Sequence, residues 1–168
     1  MENNKRTPAG AVALGGVLAA LAVVIMAMGT LIPVATYVCP MLCILLLQVI
    51  LKTCSSRIAW AWYGAVSVLS LLLAPDKEAA IVFVFLGYYP IVKPRLDRSR
   101  GKWLWKGLLF NGAVLAAYWV LLRLLGMEAL AEEFQELGSV MCVVLLVLGN
   151  LTFFLLDRLL QMRPRKKR

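Results

Sequence analysis

The sequence predicts an all-α, polytopic membrane protein: a six-transmembrane-helix bundle, one integral membrane domain over residues 1–168, with both termini cytoplasmic. Three observations predict it. The chain is 62% hydrophobic with a mean hydropathy of +0.83, more apolar surface than a single water-surrounded core of this length can hide. Its apolar residues fall into six long runs. The Lys and Arg residues sit almost entirely in every second gap between those runs.

A helix needs about 20 residues to cross about 30 Å of hydrocarbon. The first span covers about 8–31. Its apolar stretch is longer than the core of a signal peptide, so it reads as a retained span. The second covers about 33–52, with Pro33 near its start and Pro40 inside it. The third, 57–74, opens on Trp60, Trp62 and Tyr63. The fourth, 78–92, is short, and Pro90 is expected to weaken its last turn. The fifth covers about 103–125 and the sixth about 139–160.

One side of the membrane receives Lys5, Arg6, Lys52, Arg57, Lys93, Arg95, Arg98, Arg100, Lys102, Lys106, Arg158, Arg163, Arg165, Lys166, Lys167 and Arg168; the other receives only Lys77 and Arg123. Cations are costly in hydrocarbon, and cytoplasmic loops carry the excess of Lys and Arg. The basic side is therefore expected to be cytoplasmic, which requires an even number of spans. The acidic residues lean the other way: Asp76, Glu78, Glu128, Glu132, Glu133 and Glu136 are outside, Glu2, Asp97 and Asp157 inside. Trp60, Trp62, Tyr63, Trp103 and Trp105 all fall at cytoplasmic helix ends, where amphipathic rings favour the headgroup zone.

The formal net charge of +9 belongs to loops and tail of a membrane protein, so anionic lipid headgroups rather than nucleic acid are the expected partner. Cys39, Cys43, Cys54 and Cys142 lie in or beside apolar runs and read as small buried apolar residues. Cys39 and Cys43 point the same way from successive helical turns, a poor disulfide geometry. On the outer side, Met127, Leu130, Phe134 and Leu137 recur at helical spacing, which predicts a short amphipathic helix over 127–137 on the membrane surface.

Catalytic constellations are absent from the sequence. It contains no histidine, no Gly-x-Ser-x-Gly elbow, and no glycine-rich phosphate loop followed by Lys-Ser or Lys-Thr. An enzyme is not expected, nor is a cofactor or a metal. Sparse polar groups remain within the spans: Gln48, Asn111, Asn150 and Thr152. An amide in lipid finds its partner across a helix interface or in a wet cavity. Asp76, Lys77, Asn111, Trp119, Arg123 and Asn150 are the candidate substrate-binding residues. The turn at 74–78 is either a capped turn or part of an outward-facing ligand rim. Tyr88, Tyr89 and Pro90 either floor a cavity or belong to an interfacial belt. In the first span small residues recur every four positions: Ala9 with Ala13, Ala11 with Gly15 and Ala19, Gly16 with Ala20. Such a face lets another helix approach closely, either inside the bundle or on a second protein.

Six hydrophobic helices in under 200 residues, cytoplasmic termini and a small-residue face on the first span resemble the substrate-binding (S) components of energy-coupling factor transporters. Related small bacterial six-helix membrane proteins share the outline. The resemblance covers most of the chain and rests on architecture. It implies that Ala11, Gly15, Gly16, Ala19 and Ala20 form a docking face for a transmembrane coupling subunit, and that a vitamin-like small molecule binds from outside. The histidine-rich N-terminus of metal-specific members is missing, which disfavours nickel and cobalt.

Two functions follow as expectations. The first is a membrane-embedded substrate-binding subunit of a nutrient-uptake transporter in a bacterial cell membrane, driven by separate ATPase subunits and roofed by the 127–137 helix. The second is a non-transporting scaffold or assembly protein that recruits lipids or cytoplasmic partners through its basic loop, 93–106, and its tail, 158–168.

Overall fold

The structure, a computed structural model, describes residues 8–31, 35–99, 101–123 and 128–161. Lys5, Arg6, Pro33, Arg100, Met127, the tail from 162 onward and the side chains of 128–137 lie outside the described residues, and with them much of the expected amphipathic helix. Among the described residues all regular structure is helical, and six stretches are long and apolar enough to cross a membrane. The chain forms two compact units, Met1–Arg100 and Gly101–Arg168.

The first unit holds α1 (Pro8–Ala27, continued by a 3-10 turn Met28–Leu31), α2 (Ala35–Thr53), α3 (Ser56–Leu73), α4 (Lys77–Leu86) and α5 (Tyr89–Leu96). Proline at the first position of α1 costs nothing, because that N–H has no partner inside the helix anyway. Ser55 caps α3, its hydroxyl accepting from the Ile58 amide at 3.4 Å. Asp76 caps α4, its carboxylate accepting from the Ala79 amide at 3.0 Å. Both caps satisfy amides that would otherwise be orphaned at a helix start.

α1 packs on α3 and α2, and α2 on α4. Trp62 of α3 donates its indole N–H to the Gly15 carbonyl of α1 at 3.1 Å. The Cys43 thiol of α2 reaches the Ala22 carbonyl of α1 at 3.6 Å. Met26, Leu47, Ile50, Val66 and Phe83 are fully buried between these helices. The opposite surface is a coat of apolar side chains, including Val12 (68% exposed), Leu72 (71%) and Val17 (67%). In water such a surface would drive aggregation, whereas in a bilayer it faces lipid.

The fourth span differs from the expectation. It does not fade at Pro90. α4 ends at Leu86, Gly87 and Tyr88 form a turn, and α5 carries the chain on to Leu96, so that 77–96 spans as two segments. Pro90 sits in the first turn of α5, where it starts a helix rather than weakening one. Gly87 marks the closest approach in the unit. A Cβ there would lie 2.5 Å from the Phe83 carbonyl oxygen, 2.9 Å from the Phe83 ring and 3.0 Å from the Tyr63 ring. Gly87→Ala is expected to destabilise the unit by about 1–3 kcal/mol, the range for overpacking, read as a lower melting temperature.

The aromatic belt is also divided. Trp60 (46% exposed), Trp103 (62%) and Trp105 (53%) are surface residues, whereas Trp62 is buried at 4%. Residues two positions apart on a helix differ by about 200° at 3.6 per turn, so Trp60 and Trp62 cannot share a face. Tyr63 turns inward as well, donating its hydroxyl to the Val84 carbonyl of α4 and packing edge-on against Tyr88.

The second unit is an antiparallel hairpin of α6 (Lys102–Arg123) and α7 (Glu128–Gln161). α7 is broken at Gly138, whose φ of 68° and ψ of 164° are accessible essentially to glycine alone. The break separates a segment at 128–137 from the membrane-crossing part, Val143–Gln161. Phe110 and Phe153 stack with centroids 4.7 Å apart at the middle of the hairpin.

Candidate functional site

The end of the first unit where α1 turns into α2 and α3 into α4 gathers its polar groups. The Tyr37 hydroxyl, at the start of α2, donates to Glu78 Oε1 at 3.0 Å. The Lys77 ammonium folds back to the carbonyls of Leu71 and Ala74, both at 2.9 Å, and closes the C-terminus of α3. A Cβ on Gly29 would stand 3.7 Å from Asp76 Oδ2 and 3.9 Å from Cys39 Sγ. Gly29, Cys39, Asp76, Glu78 and Tyr37 thus form one cluster, rich in acceptors and suited to a ligand that donates hydrogen bonds or carries positive charge. Of the predicted site residues Asp76 lies in it, and Lys77 stands next to it in the same turn. Both also hold the turn together, one as a cap and one as a carbonyl clamp. Tyr37, Cys39 and Gly29 were not among the predicted residues. Tyr37 joins Glu78 through a contact 41 residues long in sequence, which leaves no local signal.

The predicted residues of the second unit do not converge on one point. Asn111 and Asn150 meet across the hairpin. Each donates its amide to the other's side-chain oxygen, at 3.0 and 3.1 Å. Each gives its remaining N–H to its own helix, Asn111 to the Gly107 carbonyl at 2.8 Å and Asn150 to the Leu146 carbonyl at 2.9 Å. Every amide hydrogen of the pair is therefore used within the hairpin. Trp119 lies eight residues further along α6, about 12 Å away at 1.5 Å per residue, and is 63% exposed. Arg123 is exposed at the end of the same helix, about 18 Å from Asn111 by the same rise.

Two cations expected in an exposed loop are buried instead. Lys106 is 3% exposed and Lys93 is 6% exposed. Lys106 Nζ lies 2.9 Å from Asp157 Oδ2, which also accepts from Gln161 Nε2 at 2.9 Å. Lys106 lies one turn inside α6 and Asp157 one turn inside α7, so a charge counted with the basic loop meets a carboxylate from the end of the sixth span. Lys93 Nζ stands 3.7 Å from Asp97 Oδ2 and 5.7 Å from the Tyr89 ring centroid.

The small-residue face of α1 is split. Ala11 and Gly15 are buried, Gly15 under Trp62, and Ala19 is half-buried; Gly16 and Ala20 are exposed, in line with Ala9 and Ala13. At about 100° per residue, positions 11, 15, 22 and 26 form one stripe and 9, 13, 16 and 20 another, on different sides of the helix. The first stripe packs inside the unit and the second faces outward. Among the described residues no three His, Cys, Asp or Glu side chains cluster in a way that would hold a metal ion.

No protein-family model, no curated protein and no solved structure matches the chain.

Proposed function

We propose that the chain is the membrane-embedded substrate-binding subunit of a nutrient-uptake transporter, working with a transmembrane coupling subunit and separate ATPases. One observation carries this reading. α1 uses Ala11 and Gly15 for its own packing and still presents Ala9, Ala13, Gly16 and Ala20 outward. Small residues at four-residue spacing gain little from lipid tails and much from a second helix approaching closely. The basic residues orient the protein in the cell membrane with both termini and the α2–α3 and α5–α6 connections in the cytoplasm. The cluster of Tyr37, Asp76 and Glu78 then faces outside, where a nutrient arrives. In this reading Asp76 and Glu78 meet the donor groups of a vitamin-like molecule, and the ATPases supply the motor that the sequence lacks.

The test is co-purification from the source membrane. A coupling subunit and ATPases are expected with the wild type and are expected to be lost with Gly16→Leu/Ala20→Leu. A Cβ at Gly16 meets nothing within 4 Å, so the variant keeps the fold. An intact complex in the variant, or none in the wild type, contradicts the reading.

A specific observation favours a second reading, a non-transporting scaffold. Asn111 and Asn150, a half-buried polar pair across the hairpin, spend their donors on each other and on their own helices. A ligand site normally keeps several convergent polar groups available. A thermal-shift screen with small organic nutrients separates the two, since ligand binding raises the apparent stability of the folded state.

A further inference from the structure

We propose that the basic end of the first unit binds the phosphate headgroup of an anionic lipid through Lys52, Arg57, Arg95 and Arg98. The proposal stands whichever reading of the function holds. α5 packs against α2 and α3, which brings Arg95 and Arg98 to the end where Lys52 lies in the last turn of α2 and Arg57 in the first turn of α3. All four are exposed. Among the described residues of this unit, Asp97 is the one carboxylate at this end, and it lies 3.7 Å from the buried Lys93. That pair is neutral together. The other four cations keep a charge of +4, with no carboxylate among the described residues bonded to them.

The arrangement suits a lipid better than a free ion. Three of the four are arginines, whose planar guanidinium binds phosphate with two parallel hydrogen bonds. Arg57 and Trp60 are three residues apart on α3 and so share a face. Trp60 is half exposed and stands edge-on against Tyr63, with ring centroids 5.9 Å apart. An indole beside a guanidinium at a helix end matches the boundary between acyl chain and headgroup.

The experiment is lipid binding to the purified full chain, comparing phosphatidylglycerol with phosphatidylcholine by native mass spectrometry and by melting temperature in bilayer discs of each lipid. The wild type is expected to hold phosphatidylglycerol roughly tenfold or more in preference, less so in high salt. Lys52→Gln/Arg57→Gln/Arg95→Gln/Arg98→Gln is expected to lose the preference. Lys102→Gln/Arg158→Gln, which removes cations of the second unit, is expected to keep it. Should the four-fold variant fail to insert, the wild type in both discs with added inorganic phosphate still decides. Equal retention of the two lipids by the wild type overturns the proposal. So does stabilisation by inorganic phosphate alone that matches that of phosphatidylglycerol, or an equal loss in both variants.

Discussion

Asp157→Ala is expected to cost the second unit about 3–5 kcal/mol, the range for removing one partner of a buried ion pair. The loss is larger than that of an ordinary hydrogen bond because of what remains. Lys106 stays 3% exposed without the carboxylate it met at 2.9 Å, and Gln161 loses the acceptor it reached at 2.9 Å. The attraction that held the pair does not set the size of the effect. The cost of keeping an ammonium out of water without its carboxylate does. Lys106→Met/Asp157→Leu, which removes both charges and keeps the volume, is therefore expected to be much milder than either single change, and near neutral. Unfolding of Asp157→Ala, Lys106→Met, Asp157→Leu and the double variant in detergent, followed by helical signal against denaturant, checks the order. A double variant less stable than Asp157→Ala would show that the pair contributes through its own attraction instead.

Trp62→Ala carries the next largest expected effect, about 2–4 kcal/mol, at and below the range for emptying a buried aromatic site. Trp62 fills the contact between α1 and α3 and donates to the Gly15 carbonyl at 3.1 Å. In a bilayer the unfolded reference is also out of water, so the cavity and the lost van der Waals contacts set the cost. Trp62→Phe keeps most of the volume and removes only the N–H. It is expected to cost about 1 kcal/mol. Melting temperatures of the two variants in the same detergent give the comparison. Similar losses for both would place the hydrogen bond, rather than the packing, at the centre of the contact.

The six spans were legible in the sequence because two costs write them there: the cost of charge in hydrocarbon and the length needed to cross it. Span ends fell within a few residues for the same reason, since Lys52, Arg57, Lys77 and Lys102 stand at them. Less legible was anything set by a partner far along the chain. Asn111 and Asn150 each had to find a partner, but that they find each other depends on hairpin register over 39 residues. Lys106 and Asp157 read as separate charges on the basic side because their pairing spans 51 residues. Tyr37 gave no sign of meeting Glu78. The break at Gly87 was hidden by Pro90, which reads equally as the end of one helix and the start of the next. The splitting of α1 into an inward and an outward stripe follows from helix geometry. Which stripe faces α3 was decided by where Trp62 lands, and a bare period of four does not contain that.

The proposed function requires the basic ends of α2, α3 and α5 to lie on one face of the membrane and the turn at 74–78 to lie on the other. Single cysteines at Pro75→Cys and Ser99→Cys, in a background with the four native cysteines changed to alanine, test it with a membrane-impermeant thiol reagent. Labelling of position 75 in intact cells, with position 99 reached only after the membrane is opened, is the expected result. Labelling of position 99 from outside, or of both positions from the same face, would contradict it.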